Sequence, residues 1–247
     1  MNQTVTVTGM VLSVTPIGEY DRRVVLLTKE KGKISAFAKG ARRQNSMLMG
    51  VTNPFTFGEF TLYEGRTSYN IMQANIQNYF MELSSDLEGA YYGFYFLEFA
   101  DYYAKEYNDE TQLLKLLYQT LRAICSKKIS YELIRCVFEL KAMVINGEYP
   151  DVFACTYCGS KGDGAVFSSK NHGVVCMQCG KIATDAIKMS AATWYTLQYV
   201  VSSSIEKLYT FTVSEEVQGE FRRIMKQYIG MYVEKRFKSL EILEMCL

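Results

Sequence analysis

Two Cys-x-x-Cys pairs, Cys155/Cys158 and Cys176/Cys179, carry the clearest chemical signal in the chain. Two intervening residues let both thiolates of a pair reach one tetrahedral ion at roughly 2.3 Å, and the second pair fills the other two positions. A filled shell leaves no place for water or substrate. The spacing therefore points to one structural Zn2+ held by all four sulfurs, with function residing elsewhere. A thioredoxin-like redox site needs a single pair at a strand-to-helix turn, so the second pair speaks against it. Gly159 and Gly180 follow the two pairs, where amides just beyond the cysteines are expected to approach the sulfurs.

Other chemistries lack their parts. A zinc deaminase needs a His-x-Glu partner, but His172, the only histidine, is followed by Gly173 and Val174 and reads as an exposed loop residue. There is no G-x-x-x-x-G-K-[ST] phosphate loop and no G-x-S-x-G nucleophile elbow. The expectation is a protein that is not an enzyme. Cys125 and Cys136 stand among leucines as small core residues, and Cys246 completes the seven without forming a disulfide framework. With no secretory leader and no long apolar run, the expected location is the cytoplasm.

The formal net charge of +1 conceals an uneven distribution. Residues 1–80 hold nine Lys/Arg against five Asp/Glu, whereas residues 81–150 hold seven against eleven. The basic excess falls in clusters: Arg22 and Arg23, then Lys29, Lys31 and Lys33, then Lys39, Arg42 and Arg43. Cations gathered along a groove neutralise phosphates and release counterions, with an affinity that falls with salt by roughly 0.7 log units per contact and log unit for single strands. Tyr20, Phe37, Phe55, Phe57 and Tyr63 are candidate stacking platforms, although aromatics in a small barrel are more often core. An alternative is a zinc-ribbon protein of RNA or transcription, gripping nucleic acid through the cysteine module. That module offers only Lys161, Lys170 and Lys181, partly balanced by Asp163.

The elements that must position these groups follow from periodicity. From Thr4 to Asn78 the pattern has period two, with strands expected around Arg22–Thr28, Lys33–Lys39 and Tyr69–Gln77. Apolar parity switches at Gly9 and again at Gly58, which reads as bulges or sharp bends. Five short strands bent at glycines suit a small closed barrel over residues 1–80, an OB-fold by strand count, with an SH3-like barrel open on pattern alone. After Met81 helices take over. Ser85 with Glu88 suggests a capping box for an aromatic, buried helix over Leu87–Tyr107. Leu113–Ile124 and Leu133–Val144 mark two more, Ser190 caps another, and one long helix is expected from Ser214 to Phe237. The fold class is thus α+β multidomain: the barrel, then a helical domain over 81–247 with a four-cysteine zinc module inserted at 153–182. An apolar content of 49% suffices for such cores.

In this order of parts the chain resembles the RecO family of bacterial DNA-repair and recombination mediators. The resemblance lies in Gly9-Met10-Val11-Leu12, in Gly18-Glu19-Tyr20-Asp21, in the run from Gly32 to Arg43, and in the cysteine pairs of the zinc-binding members. It implies a non-enzymatic, nucleoid-associated protein that binds single- and double-stranded DNA and anneals complementary strands. It further implies partnership with RecR in loading RecA onto strands coated by single-strand-binding protein, whose acidic C-terminal tail docks on the helical domain.

Overall fold

A computed structural model of the chain describes residues 3–65, 68–162 and 164–246; Asp163, counted above against the module's lysines, lies outside them. The chain forms two compact units, one of Met1–Cys125 with Phe237–Leu247 and one of Ser126–Arg236.

In the first unit the alternating segments form β1 (Gln3–Ile17), β2 (Asp21–Thr28), β3 (Gly32–Ala38), β4 (Phe57–Glu64) and β5 (Tyr69–Asn78). They close into a barrel in the order β1-β2-β3-β5-β4, antiparallel except where β3 meets β5. This is an OB-like barrel. Its interior is lined by alternate residues, among them Val7, Val11, Val24, Leu26, Ile34 and Phe60. Closure makes long β1 serve two partners: residues 3–10 pair with β4 and residues 9–17 with β2.

Gly9 and Gly58 face each other where those pairings overlap. A methyl group on Gly9 would stand 2.6 Å from the Leu27 carbonyl oxygen, and one on Gly58 would stand 2.3 Å from that of Asn75. The slip expected at Gly58 is present, between Phe57 and Gly58. The slip expected at Gly9 is displaced to Leu12, between Val11 and Ser13. Val11 therefore still faces the barrel interior with Val7, while Met10 and Leu12 are buried outside that core cluster.

A short helix, α1 (Leu48–Val51), lies on the β3–β4 connection, and α2 (Leu87–Tyr103) and α3 (Thr111–Ser126) follow the barrel. The capping box at Ser85 is not formed. Ser85 belongs to a 3-10 turn, Met81–Ser85, and Asp86 caps α2 by accepting a hydrogen bond from Gly89 N at 2.9 Å. The rings of α2 are buried as expected, with Tyr95, Phe96 and Phe99 wholly inside. The helix expected from Ser214 to Phe237 is α6 (Glu215–Tyr232), which ends short of Phe237, and a further helix not expected from the sequence, α7 (Lys238–Cys246), packs on α2. Phe237 stacks on Phe99 at 5.2 Å and meets Tyr95 edge-on at 5.5 Å.

In the second unit α4 (Tyr131–Ile145), α5 (Ala191–Ser202) and α6 pack together. Ser130, Ser190 and Ser214 cap them, each hydroxyl accepting from an amide three residues on. Such caps stabilise a helix by about 1 kcal/mol each. Between α4 and α5 lie β6 (Ala165–Ser168), β7 (Gly173–Cys176) and β8 (Ile187–Lys188), in the order β7-β6-β8. Among the described residues, no helix is long and apolar enough to cross a membrane.

Candidate metal centre and nucleic-acid face

The four cysteines meet. Strand β7 delivers Cys176 at its end, a 3-10 turn starts at Cys179, and a loop following α4 carries Cys155 and Cys158. The loop is closed by Gly159 N donating to Cys155 O and Cys155 N donating to Ser160 O, both at 2.8 Å, and is tied to β7 by Thr156 N donating to Val174 O at 3.0 Å. All four Sγ atoms lie within 4.8 Å of one another, with Cys158 and Cys176 at 3.8 Å. A tetrahedron with metal–sulfur bonds of roughly 2.3 Å has sulfur–sulfur edges of about 3.8 Å. The donor set thus fits a metal ion with a closed, all-sulfur shell.

The amides that lower the Cys155 and Cys176 thiols come from cysteines of both pairs and from Tyr157 and Gln178. Burial opposes ionisation of Cys155, but backbone donors from Cys176, Cys158 and Tyr157 outweigh it and bring the thiol down to about 6. Amides of Cys179 and Gln178 lower Cys176 in the same way, against a smaller contribution from burial. Cys179 is pushed up to about 12 by hydrogen bonds with the neighbouring sulfurs of Cys176 and then Cys158. A divalent cation bound here would take all four as thiolates. Gly159 supplies a positive φ of 72° for the turn, and Gly180 makes room for Val166, whose Cγ2 would lie 2.7 Å from an added methyl. His172 stays outside the sulfur cluster. Its ring packs on Tyr232 with centroids 4.6 Å apart, and its Nε2 is 3.2 Å from the tyrosine hydroxyl.

The eight N-terminal cations separate into two groups at opposite ends of the β2–β3 hairpin. Arg22 and Arg23 stand opposite Ala38 and Phe37, whereas Thr28 stands opposite Gly32. At about 3.3 Å per residue those ends are roughly 20 Å apart. That exceeds the Debye length of about 8 Å at physiological salt, so each group acts by itself.

At the hairpin tip two of the three cations are engaged within the protein. Lys31 pairs with Glu64 at 3.3 Å and lies over the Tyr69 ring at 5.4 Å. Lys33 donates to the Asp101 carbonyl at 2.6 Å and pairs with its carboxylate at 3.4 Å. Lys29 is exposed but close enough to Asp109 to help lower its pKa, after the larger effects of the Thr111 hydroxyl and amide.

At the other end Arg22 is spent on structure. Its Nη1 donates to Met49 O, Thr52 Oγ1 and Asn53 Oδ1 at 2.9, 2.9 and 3.0 Å, pinning the α1 segment. Arg23, which donates to Ser35 Oγ, Lys39, Arg42 and Arg43 are exposed. These four form the cationic face. Of the five aromatics, Phe55 packs on Phe94 at 4.7 Å, Phe57 packs on Tyr118 at 4.6 Å and Tyr63 lies on β4 between Thr4 and Asn70, which leaves Tyr20 and Phe37 beside these cations. The selection was not readable from sequence, because it depends on which carboxylates the fold sets opposite each lysine.

Comparison with known proteins places both parts of the chain in one family. Residues 1–80 match the family "Recombination protein O N terminal" and residues 84–241 match "Recombination protein O C terminal". A DNA repair protein RecO from Alkaliphilus metalliredigens is 34% identical over 95% of this chain and 96% of its own length. Proteins of the same description from Acetivibrio thermocellus and Clostridium novyi are 31% and 30% identical, over 96% and 95% of this chain and 94% and 91% of their own lengths.

Proposed function

The chain belongs to the RecO family of DNA repair proteins, and from that membership we propose that it is a DNA-binding recombination mediator which anneals complementary strands without nucleotide hydrolysis. In this reading residues 1–80 are the DNA-binding barrel and residues 81–247 a helical domain whose module at 153–182 holds one structural Zn2+ through Cys155, Cys158, Cys176 and Cys179. The protein acts with RecR to load RecA onto single strands coated by single-strand-binding protein, whose C-terminal tail recruits it. No step of this function forms or breaks a covalent bond.

One observation carries the reading: Arg23, Lys39, Arg42 and Arg43 are exposed together at one end of the β2–β3 hairpin. In an OB barrel the faces of strands 2 and 3 and the loop between strands 1 and 2 are where oligonucleotides bind. Four cations on such a face screen the repulsion between two phosphate backbones, which is the main barrier to bringing complementary strands together. The metal supplies no chemistry to that process; it braces the loops that its thiolates tie together.

The test reverses charge at three of these positions, as Lys39→Glu, Arg42→Glu and Arg43→Glu in one protein. Oligonucleotide affinity should fall, and the slope of log affinity against log salt should flatten by roughly two units, the loss of three phosphate contacts. Annealing of complementary oligonucleotides without nucleotide should slow in parallel. Unchanged binding by a folded variant removes this face as the DNA site.

A further inference from the structure

Two turns of the barrel are joined into one rigid knuckle. Gly40 N donates to Asp21 Oδ1 at 2.7 Å, Arg42 N to Tyr20 O at 2.8 Å, and Arg42 Nη1 to Gly18 O at 3.2 Å. These bonds fasten the β1–β2 turn to the exit of β3 and set the Arg43 guanidinium over the Tyr20 ring, 5.0 Å from its centroid. Tyr20 is nonetheless 42% exposed.

A large aromatic side chain normally gains by burial. Here the surrounding bonds hold it open beside Arg43. Phe37 lies on the outward row of β3, opposite Arg23 in register.

We propose that Tyr20, backed by Arg43, is a stacking platform for an unpaired nucleobase, so that this face distinguishes single strands from duplex through the base as well as the phosphate. The inference rests on the DNA-binding reading above and adds to it the group that makes the distinction. Bases in a duplex are stacked on their neighbours and offer the ring no face; bases of a single strand do, whatever their identity. Arg43 has two roles in this arrangement, cation–π contact from behind the ring and attraction of the adjoining phosphate. Tyr20 contributes nothing to phosphate binding.

The experiment measures binding of the full chain to two labelled strands with equal numbers of phosphates. One is an oligothymidylate of about twenty nucleotides, longer than the site of a single OB barrel. The other is a matching strand of abasic tetrahydrofuran units. The unaltered protein should prefer the thymidylate by roughly five- to a hundredfold, the effect of one or more base–aromatic stacks. Tyr20→Ala should remove most of that preference, leaving abasic binding and the salt slope unchanged, and Tyr20→Trp should keep it. Equal binding of both strands by the unaltered protein overturns the proposal, as does a Tyr20→Ala variant weakened equally for both. Failure to bind either strand overturns instead the DNA-binding reading on which it rests.

Discussion

Glu220 shows what a single buried carboxylate does for this protein. Its Oε2 accepts hydrogen bonds from Ser190 N at 2.9 Å, from Ser190 Oγ at 2.8 Å and from Thr193 Oγ1, at the start of α5. Burial opposes its ionisation, but those donors outweigh it and hold the carboxyl below its ordinary value of 4.5. A depressed acid contributes stability that is fully present above the unfolded-state value and is lost as pH falls through the folded-state value. Glu220→Gln should therefore destabilise the protein by about 1–3 kcal/mol at neutral pH, the worth of hydrogen bonds to a charged group. The difference between variant and unaltered protein should shrink as pH falls below about 4. Thermal melting of the two proteins across that range checks it, and a difference independent of pH would assign the effect to packing alone. The cap itself was legible, since Ser190 stands where a helix-starting serine belongs. Its carboxylate partner, thirty residues later, was not.

Among the elements, the strands were the most readable, because a half-buried strand alternates and turns interrupt the alternation. Expected strands at Arg22–Thr28, Lys33–Lys39 and Tyr69–Gln77 correspond to β2, β3 and β5 with ends shifted by one residue. The displaced bulge is instructive. The run Gly9 to Leu12 is apolar throughout, so it contains no polar residue to reveal its phase. Only the second partner strand decides that Val11 faces inward.

Gly58 has a different duty, admitting close approach of β5. Gly58→Ala should cost about 1–3 kcal/mol, because the methyl meets backbone that cannot swing aside. A denaturant midpoint unchanged from the parent would show that the barrel relaxes there freely. At the other terminus a continuous helical pattern across Tyr232 concealed a break, since nothing local signals that Phe237 belongs among the rings of α2.

At the scale of the whole molecule the proposed metal matters most to the second unit. Cys155, Val166 and Val175 form a small cluster of their own, with Cys176 and Cys179 packed against it. A cluster of that size stabilises little by burial alone, whereas metal binding contributes on the order of 10 kcal/mol in small zinc-folded domains. Removing the ion with a chelator, or making Cys176→Ser, should expose the segment from about Asp151 to Lys188 to hydrogen exchange and proteolysis. The barrel strands should keep their protection. Retention of metal by Cys176→Ser, or simultaneous loss of protection in both units, would contradict a local bracing role.

The cysteine spacing, the alternation of the strands and the Ser190 cap are local properties, set by covalent geometry within a few residues, and the sequence determined them unaided. Which cations remain on the surface, where the barrel slips and which ring lies open beside Arg43 depend on groups far apart in the chain. Charge pairing and packing act through space, so only the folded first unit, barrel and α2 together, decided that Lys31 and Lys33 face carboxylates while Lys39, Arg42 and Arg43 face solvent.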